Sequence, residues 1–226
     1  MQEDVTPYDT RIKMLLSQAT PVLLTILGLE DARDYVWERQ PNEEPYVLHR
    51  RADLVLRNSA NNRFIHVEFQ TEAAPDLLER CFAYAVPYFM QYKVLPRQFV
   101  LHLGPGPANY VTVYEDPRNR YSIEVVNMND VPAEVLLAHP SPEVVVLAVL
   151  CAASSAEELV EAILTRLASF KLDPDRLSDY ISILDTLGAL REVNQIIQQK
   201  SKYMGLHFNI QKSFIFQEAL QLGIEK

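Results

Sequence analysis

Two acidic residues fifteen positions apart, Asp53 and Glu68, carry the pattern most suggestive of chemistry. They lie in the stretches Arg50-Arg51-Ala52-Asp53-Leu54-Val55-Leu56 and Phe64-Ile65-His66-Val67-Glu68-Phe69-Gln70. In an extended strand, side chains alternate between faces. Phe64, His66, Glu68 and Gln70 then share one face, and Ile65, Val67 and Phe69 share the other. In the earlier stretch Asp53 goes with Arg51, Val55 and Arg57, while Leu54 and Leu56 point the opposite way. The polar run Asn58-Ser59-Ala60-Asn61-Asn62 is rich in turn formers and folds the two strands into a hairpin. If Arg57 lies opposite Arg63, Asp53 meets Val67; if it lies opposite Phe64, Asp53 meets Glu68. Directly opposed residues bring their Cβ atoms to about 5 Å. Two carboxylates that close repel unless a cation lies between them or one keeps a proton. Oxygen donors at this spacing suit Mg²⁺, which needs one or two carboxylates and retains several waters. A one-residue slip in register removes the pair and leaves two acids on a solvated sheet face.

The elements that must position these residues follow from periodicity. The spacing of Ile12, Leu15, Leu16, Val22, Leu23, Ile26 and Leu27 predicts a helix from about Pro7 to Leu29, with Pro21 as a kink or a break. Strands are expected at Tyr35–Arg39, Tyr46–Arg57 and Phe64–Gln70. A helix follows from Pro75-Asp76 to about Lys93, with Pro87 inside it. A fourth strand, Gln98–Leu103, stops at Gly104-Pro105-Gly106-Pro107, and two more are expected at Tyr110–Tyr114 and Tyr121–Met128. From Val131 the pattern turns helical, with segments near 131–138, 143–152, 155–170, 175–200 and 211–222. This order predicts an α/β core with a helical C-terminal region.

Composition narrows the classes. The 226 residues are 48% apolar, enough for a sizeable core. The net charge of −9 opposes attraction of nucleic acid to the surface as a whole. A local basic groove is still open: Arg50, Arg51, Arg57 and Arg63 share a window whose single acid is Asp53, and Arg51, Arg57 and Arg63 are the candidate DNA contacts. Cys81 and Cys151 stand alone in apolar surroundings, which speaks for buried reduced thiols and against zinc or a disulfide framework. The acidic start Met1-Gln2-Glu3-Asp4 is unlike a secretory signal, and the longest apolar run, Val144–Ala153, is too short for a bilayer. A cytoplasmic protein with no membrane partner is expected. Gly104-Pro105-Gly106-Pro107 lacks the Lys-Ser/Thr of a phosphate loop, and its prolines remove N–H donors.

The pattern Asp53, fifteen residues, Glu68-Phe69-Gln70 resembles the PD-(D/E)XK nuclease signature with glutamine in place of lysine. More narrowly, "RADLVL", "FIHVEFQTE", "LLERCFAYAVPYFMQY" and "QFVLHLGPG" resemble the bacterial recombination-promoting nuclease and transposase-like family. The likeness extends to "YDTRIKMLL" and "YSIEVVNMND" and covers about residues 8–150. It implies a restriction-endonuclease-like core of helix, three strands, helix and strand over residues 1–150, with 151–226 as a helical extension. It also implies a metal-dependent DNA endonuclease linked to recombination or mobile elements. Asp53 and Glu68 would hold Mg²⁺ or Mn²⁺, the Phe69 carbonyl would be a third ligand, and Gln70 would replace the catalytic lysine. Arg80 and Tyr84 match the family's helix residues and, one turn apart, share a face. Asp9 is the candidate acid of the first helix, with Glu38 a second choice.

The glutamine is a departure with consequences. An amide accepts no proton and supplies no positive charge. The metal must then acidify the attacking water, and Gln70 can only orient it. For this reason a catalytically degenerate module that binds DNA or a protein partner is the alternative, and an accessory protein acting through its C-terminal helices is a third reading. Those helices are also the expected surface of a possible homodimer. His66 is read as a hydrogen-bonded structural histidine or a group beside the metal. Tyr88, Phe89 and Tyr92 read as core packing.

Overall fold

The computed structural model describes residues 7–29, 32, 34–38 and 53–206, with only the backbone described for residues 7–11, 13, 37 and 38. In chain order the elements are α1 (Pro7–Ile26), β1 (Val36–Glu38), β2 (Leu54–Asn58), β3 (Arg63–Gln70), α2 (Leu77–Tyr92), β4 (Arg97–His102), β5 (Val113–Glu115), β6 (Arg120–Ser122), β7 (Glu124–Asn127), α3 (Ala133–Leu137), α4 (Pro142–Val146), α5 (Ala156–Ser169), α6 (Pro174–Ala189) and α7 (Asn194–Tyr203). The fold is mixed α/β. Its elements gather into two compact units: Leu27–Met128, and the residues up to Ile26 together with those from Asn129 onward.

The Leu27–Met128 unit is built on a five-stranded mixed sheet in the order β1-β2-β3-β4-β7. β1, β2 and β3 are antiparallel, whereas β4 runs parallel to both β3 and β7. The asparagines of the β2–β3 turn act as their side chains dictate. Asn58 Oδ1 accepts from Ala60 N–H at 3.0 Å, Asn61 Oδ1 accepts from Arg63 N–H at 3.2 Å, and Asn62 takes the left-handed φ of 55° that asparagine tolerates. This turn sets Arg57 opposite Phe64, the register in which the two acids meet.

A parallel step from β3 to β4 needs a crossover, and α2 supplies it. Its inner residues Leu77, Leu78, Cys81, Tyr84, Ala85 and Tyr88 are buried. Tyr84 and Tyr88 pack with Val55 and Phe64, while Leu77, Leu78 and Cys81 pack with Val100 and Ile123. The helix therefore covers the sheet face that carries His66 and Glu68. It runs unbroken past Pro87 and ends at Lys93, which adopts φ 58° and returns its N–H to Phe89 O at 2.9 Å.

Two strand boundaries differ from expectation. The first late strand starts at Val113, and the segment read as one strand from Tyr121 to Met128 is divided. β5 and β6 form a separate hairpin, and β7 joins the main sheet beside β4. At the switch Ile123 is buried and donates its N–H to Thr112 O at 3.0 Å. The period-two alternation runs straight through this change of partner, so periodicity alone does not mark it.

The second unit is helical. α5 starts at Ser155, whose hydroxyl accepts from Glu158 N–H at 3.3 Å, and α6 at Asp173, whose carboxylate accepts from Arg176 N–H at 3.0 Å, with Pro174 next. The apolar segment 143–152 is α4 followed by a 3-10 turn over Leu147–Leu150. The single helix expected at 175–200 is two. After Ala189 the N–H groups of Arg191 and Val193 both return to Gly188 O at 3.0 Å, and Glu192 takes φ 57°. A Cβ on Gly188 would meet Ile197 Cδ1 at 2.4 Å and Val193 Cγ2 at 3.2 Å, so the side chains of α7 and of the turn before it pack directly on this glycine. The strand portion at residues 46–52 and the helix expected at 211–222 lie outside the described residues. Among the described residues no helix is long and apolar enough to cross a membrane.

Candidate metal centre

The β2–β3 ladder pairs Leu54 with Val67, so Asp53, one step before β2, comes opposite Glu68. Hydrogen bonds tie the two residues to this strand end. Phe69 N–H donates to Asp53 Oδ2 at 3.0 Å, and Asp53 N–H donates to Glu68 Oε1 at 3.4 Å. A strand residue points its N–H and C=O to the same side. The Phe69 carbonyl therefore faces the edge where Asp53 sits.

Glu68 is a carboxylate only 4% exposed, and its neighbours explain how the interior holds it. His66 Nε2 lies 2.9 Å from Glu68 Oε1. On the other side of the ring, Gln98 Nε2 lies 2.8 Å from His66 Nδ1 and donates to Cys81 O at 2.7 Å. Cys81 O can only accept, which fixes the amide nitrogen on the side of the histidine and leaves Gln98 Oε1 to accept from the Tyr121 hydroxyl. With Nδ1 accepting from the amide, the ring proton sits on Nε2 and is donated to Glu68. A directed chain thus runs Tyr121, Gln98, His66, Glu68. Tyr84 meets the His66 ring edge-on at 5.3 Å between centroids. Arg80 Nη2 stands 3.9 Å from Glu68 Oε2 and Nη1 stands 3.9 Å from Asp76 Oδ1. The buried Arg80 Nε has no hydrogen-bond partner among the described residues. Burial, then the charge of Glu68, pushes the Cys81 thiol up to about 12, with Arg80 opposing. Both cysteines are buried and free, as their surroundings suggested.

Gln70 is half-buried on the face of Glu68, at the last position of β3. The glycine-proline run clamps this strand end. Leu103 N–H donates to Gln70 O at 2.7 Å, and a Cβ on Gly104 would meet Thr71 O at 1.9 Å. His102, paired with Gln70, lies 2.7 Å from the Tyr110 hydroxyl, which donates to Glu72 O at 3.1 Å.

The structure ties Asp53, Glu68, Phe69 and Arg80 to one another, places Gln70 two residues beyond Glu68 on the same face, and sets Tyr84 against the His66 ring. Arg57 and Arg63 are at the turn end of the hairpin, and four strand steps separate Arg57 from Asp53 by roughly 13 Å. Arg51 lies outside the described residues, and the side chains of Asp9 and Glu38 are likewise not described. Gln98 and Tyr121 had no role in the sequence analysis. The signal for Gln98 was a polar residue beside the apolar run Phe99-Val100-Leu101, since a buried amide must find partners.

Oxygen donors predominate at this edge: two carboxylates and a backbone carbonyl. That set suits a hard divalent cation, with water completing its shell. Among the described residues no group of three or more His, Cys, Asp or Glu side chains gathers to hold a metal. The His66 and Arg80 contacts to Glu68 are of the kind that orient a metal-binding carboxylate from behind. Compared with protein-family models, curated proteins and solved structures, the chain matches none.

Proposed function

We propose that the chain is a metal-dependent DNA endonuclease with a restriction-endonuclease-like core. The observation that carries this reading is the β2–β3 register, which opposes Asp53 and Glu68 with Gln70 two residues on, along the same face. Asp53, Glu68 and the Phe69 carbonyl would hold Mg²⁺ or Mn²⁺. When bound, the cation would supply Lewis-acid polarisation of the phosphoryl oxygen and lower the pKa of water. The other roles belong to the chain itself. His66, held by Gln98, keeps Glu68 in one orientation. Gln70 donates its amide hydrogens to a phosphate oxygen or holds a water. Arg80 offers a buried donor beside Glu68 and a positive charge to meet phosphate.

One observation favours a second reading, a catalytically degenerate module that binds DNA or a protein partner. Glu68 already faces His66 and Arg80, and Asp53 already accepts from Phe69, so both acids have partners without a cation. Plasmid nicking separates the two. The nuclease reading expects nicking with Mg²⁺ or Mn²⁺, none with EDTA, and a loss of about 100-fold or more in Glu68→Ala and Asp53→Ala. A Glu68→Ala protein that nicks at the wild-type rate would end this reading. Wild-type protein that neither nicks nor binds either metal would establish the degenerate module.

A further inference from the structure

The outer face of α2 carries an apolar stripe. Phe82, Val86, Phe89 and Met90 are 49%, 40%, 47% and 65% exposed and follow helical spacing. Contiguous exposed apolar side chains of this size mark association surfaces. The Phe82 ring also meets Tyr121 of β6 edge-on at 5.0 Å, which extends the stripe beyond the helix. The stripe ends in exposed charges of opposite sign, Glu79 before it and Lys93 after it. Glu79 has no ion-pair partner among the described residues. Lys93 spends one of its three hydrogens on Met90 O at 3.0 Å.

The spacing of these residues is symmetric. Val86 lies midway, with Phe82 and Met90 four positions to either side and Glu79 and Lys93 seven. A face of this kind is complementary to itself when turned end for end. We infer that the outer face of α2 is a two-fold interface with a second copy of this chain. The two helices pack antiparallel with Val86 against Val86 on the axis. Phe82 of one copy then meets Met90 of the other, Phe89 fits over the small Ala83, and Glu79 reaches Lys93 at both ends. Residue pairs repeat across the axis as an isologous contact requires. A parallel pairing would instead set Glu79 against Glu79 and Lys93 against Lys93. This surface is distinct from the C-terminal helices expected from the sequence. Because the inner side of the same helix holds Arg80 at Glu68, pairing would also relate two candidate sites by the two-fold, which suits the two strands of a duplex. That last consequence rests on the proposed nuclease activity, whereas the interface does not.

Sedimentation of the full chain over a concentration series tests the interface without reference to activity. The wild type is expected to reach twice its 25.9 kDa mass. Val86→Glu, which sets two carboxylates on the axis, should raise the dissociation constant about 100-fold or more. Glu79→Lys and Lys93→Glu should each weaken pairing several-fold, and the double swap should restore it. Circular dichroism checks folding, and Met90→Glu at the most exposed position decides the matter if Val86→Glu unfolds. A single-chain mass throughout, a dimer indifferent to these glutamates, or a double swap no tighter than the single ones would overturn the inference.

Discussion

The two ends of the β2–β3 hairpin present charged side chains in opposite ways. At the open end Glu68 is buried, and a chain of directed bonds from Tyr121 through Gln98 and His66 holds it. At the turn end Arg57 lies over the rings of Phe64 and Tyr92, at 5.5 and 5.0 Å, and donates to Asn62 Oδ1 at 3.3 Å, while Arg63 is exposed. A guanidinium spread on ring faces near solvent needs little organisation. A carboxylate in the interior needs a partner for its charge, and those partners need partners of their own. The end with the organised polar interior is also the end that holds Asp53, Arg80 and, at the last position of β3, Gln70.

This contrast can be broken by substitution. The largest effect is expected from His66→Ala, which strands Glu68 and Gln98 together and should cost about 2–4 kcal/mol in urea unfolding. Gln98→Leu should cost about 1–3 kcal/mol, since it leaves His66 Nδ1, Cys81 O and the Tyr121 hydroxyl without their partner. The two changes should be non-additive in a double-mutant cycle, because both cut one chain. At the turn end Arg57→Ala should cost only about 0.5–1 kcal/mol. If Arg57→Ala proves costlier than His66→Ala, the contrast between the ends is wrong.

The subtlest effect concerns Cys81, whose thiol is raised from the ordinary 9.0 to about 12. Between those values the unfolded chain releases the proton that the folded chain keeps, so this group lowers stability as pH rises from about 9 towards 12. In native protein at pH 8, Cys81 should resist thiol reagents that modify it at once in urea. Rapid native modification would show that the helix does not seal this face.

Much of this arrangement was legible in the chain. Strand alternation placed Glu68, His66 and Gln70 on one face, and the asparagine-rich turn left two registers open, of which the structure takes the one joining the acids. The helix spacing of Arg80 and Tyr84 was also readable. The parallel register of β3 and β4 was not: it brings His66 beside Gln98 across 32 positions, and a crossover helix carries no local signal of that alignment. The break between α6 and α7 was hidden for a different reason. Glu192 takes a left-handed conformation that residues other than glycine seldom adopt, and no proline announces it.

Manganese binding tests the metal centre most directly. Titration of the wild type against Asp53→Asn and Glu68→Gln, each checked for folding, removes one carboxylate charge at a time while preserving shape. The predicted result is one Mn²⁺ site in the wild type, weakened at least about tenfold by either substitution. Binding that both variants retain undiminished would contradict a shared cation between these two strands.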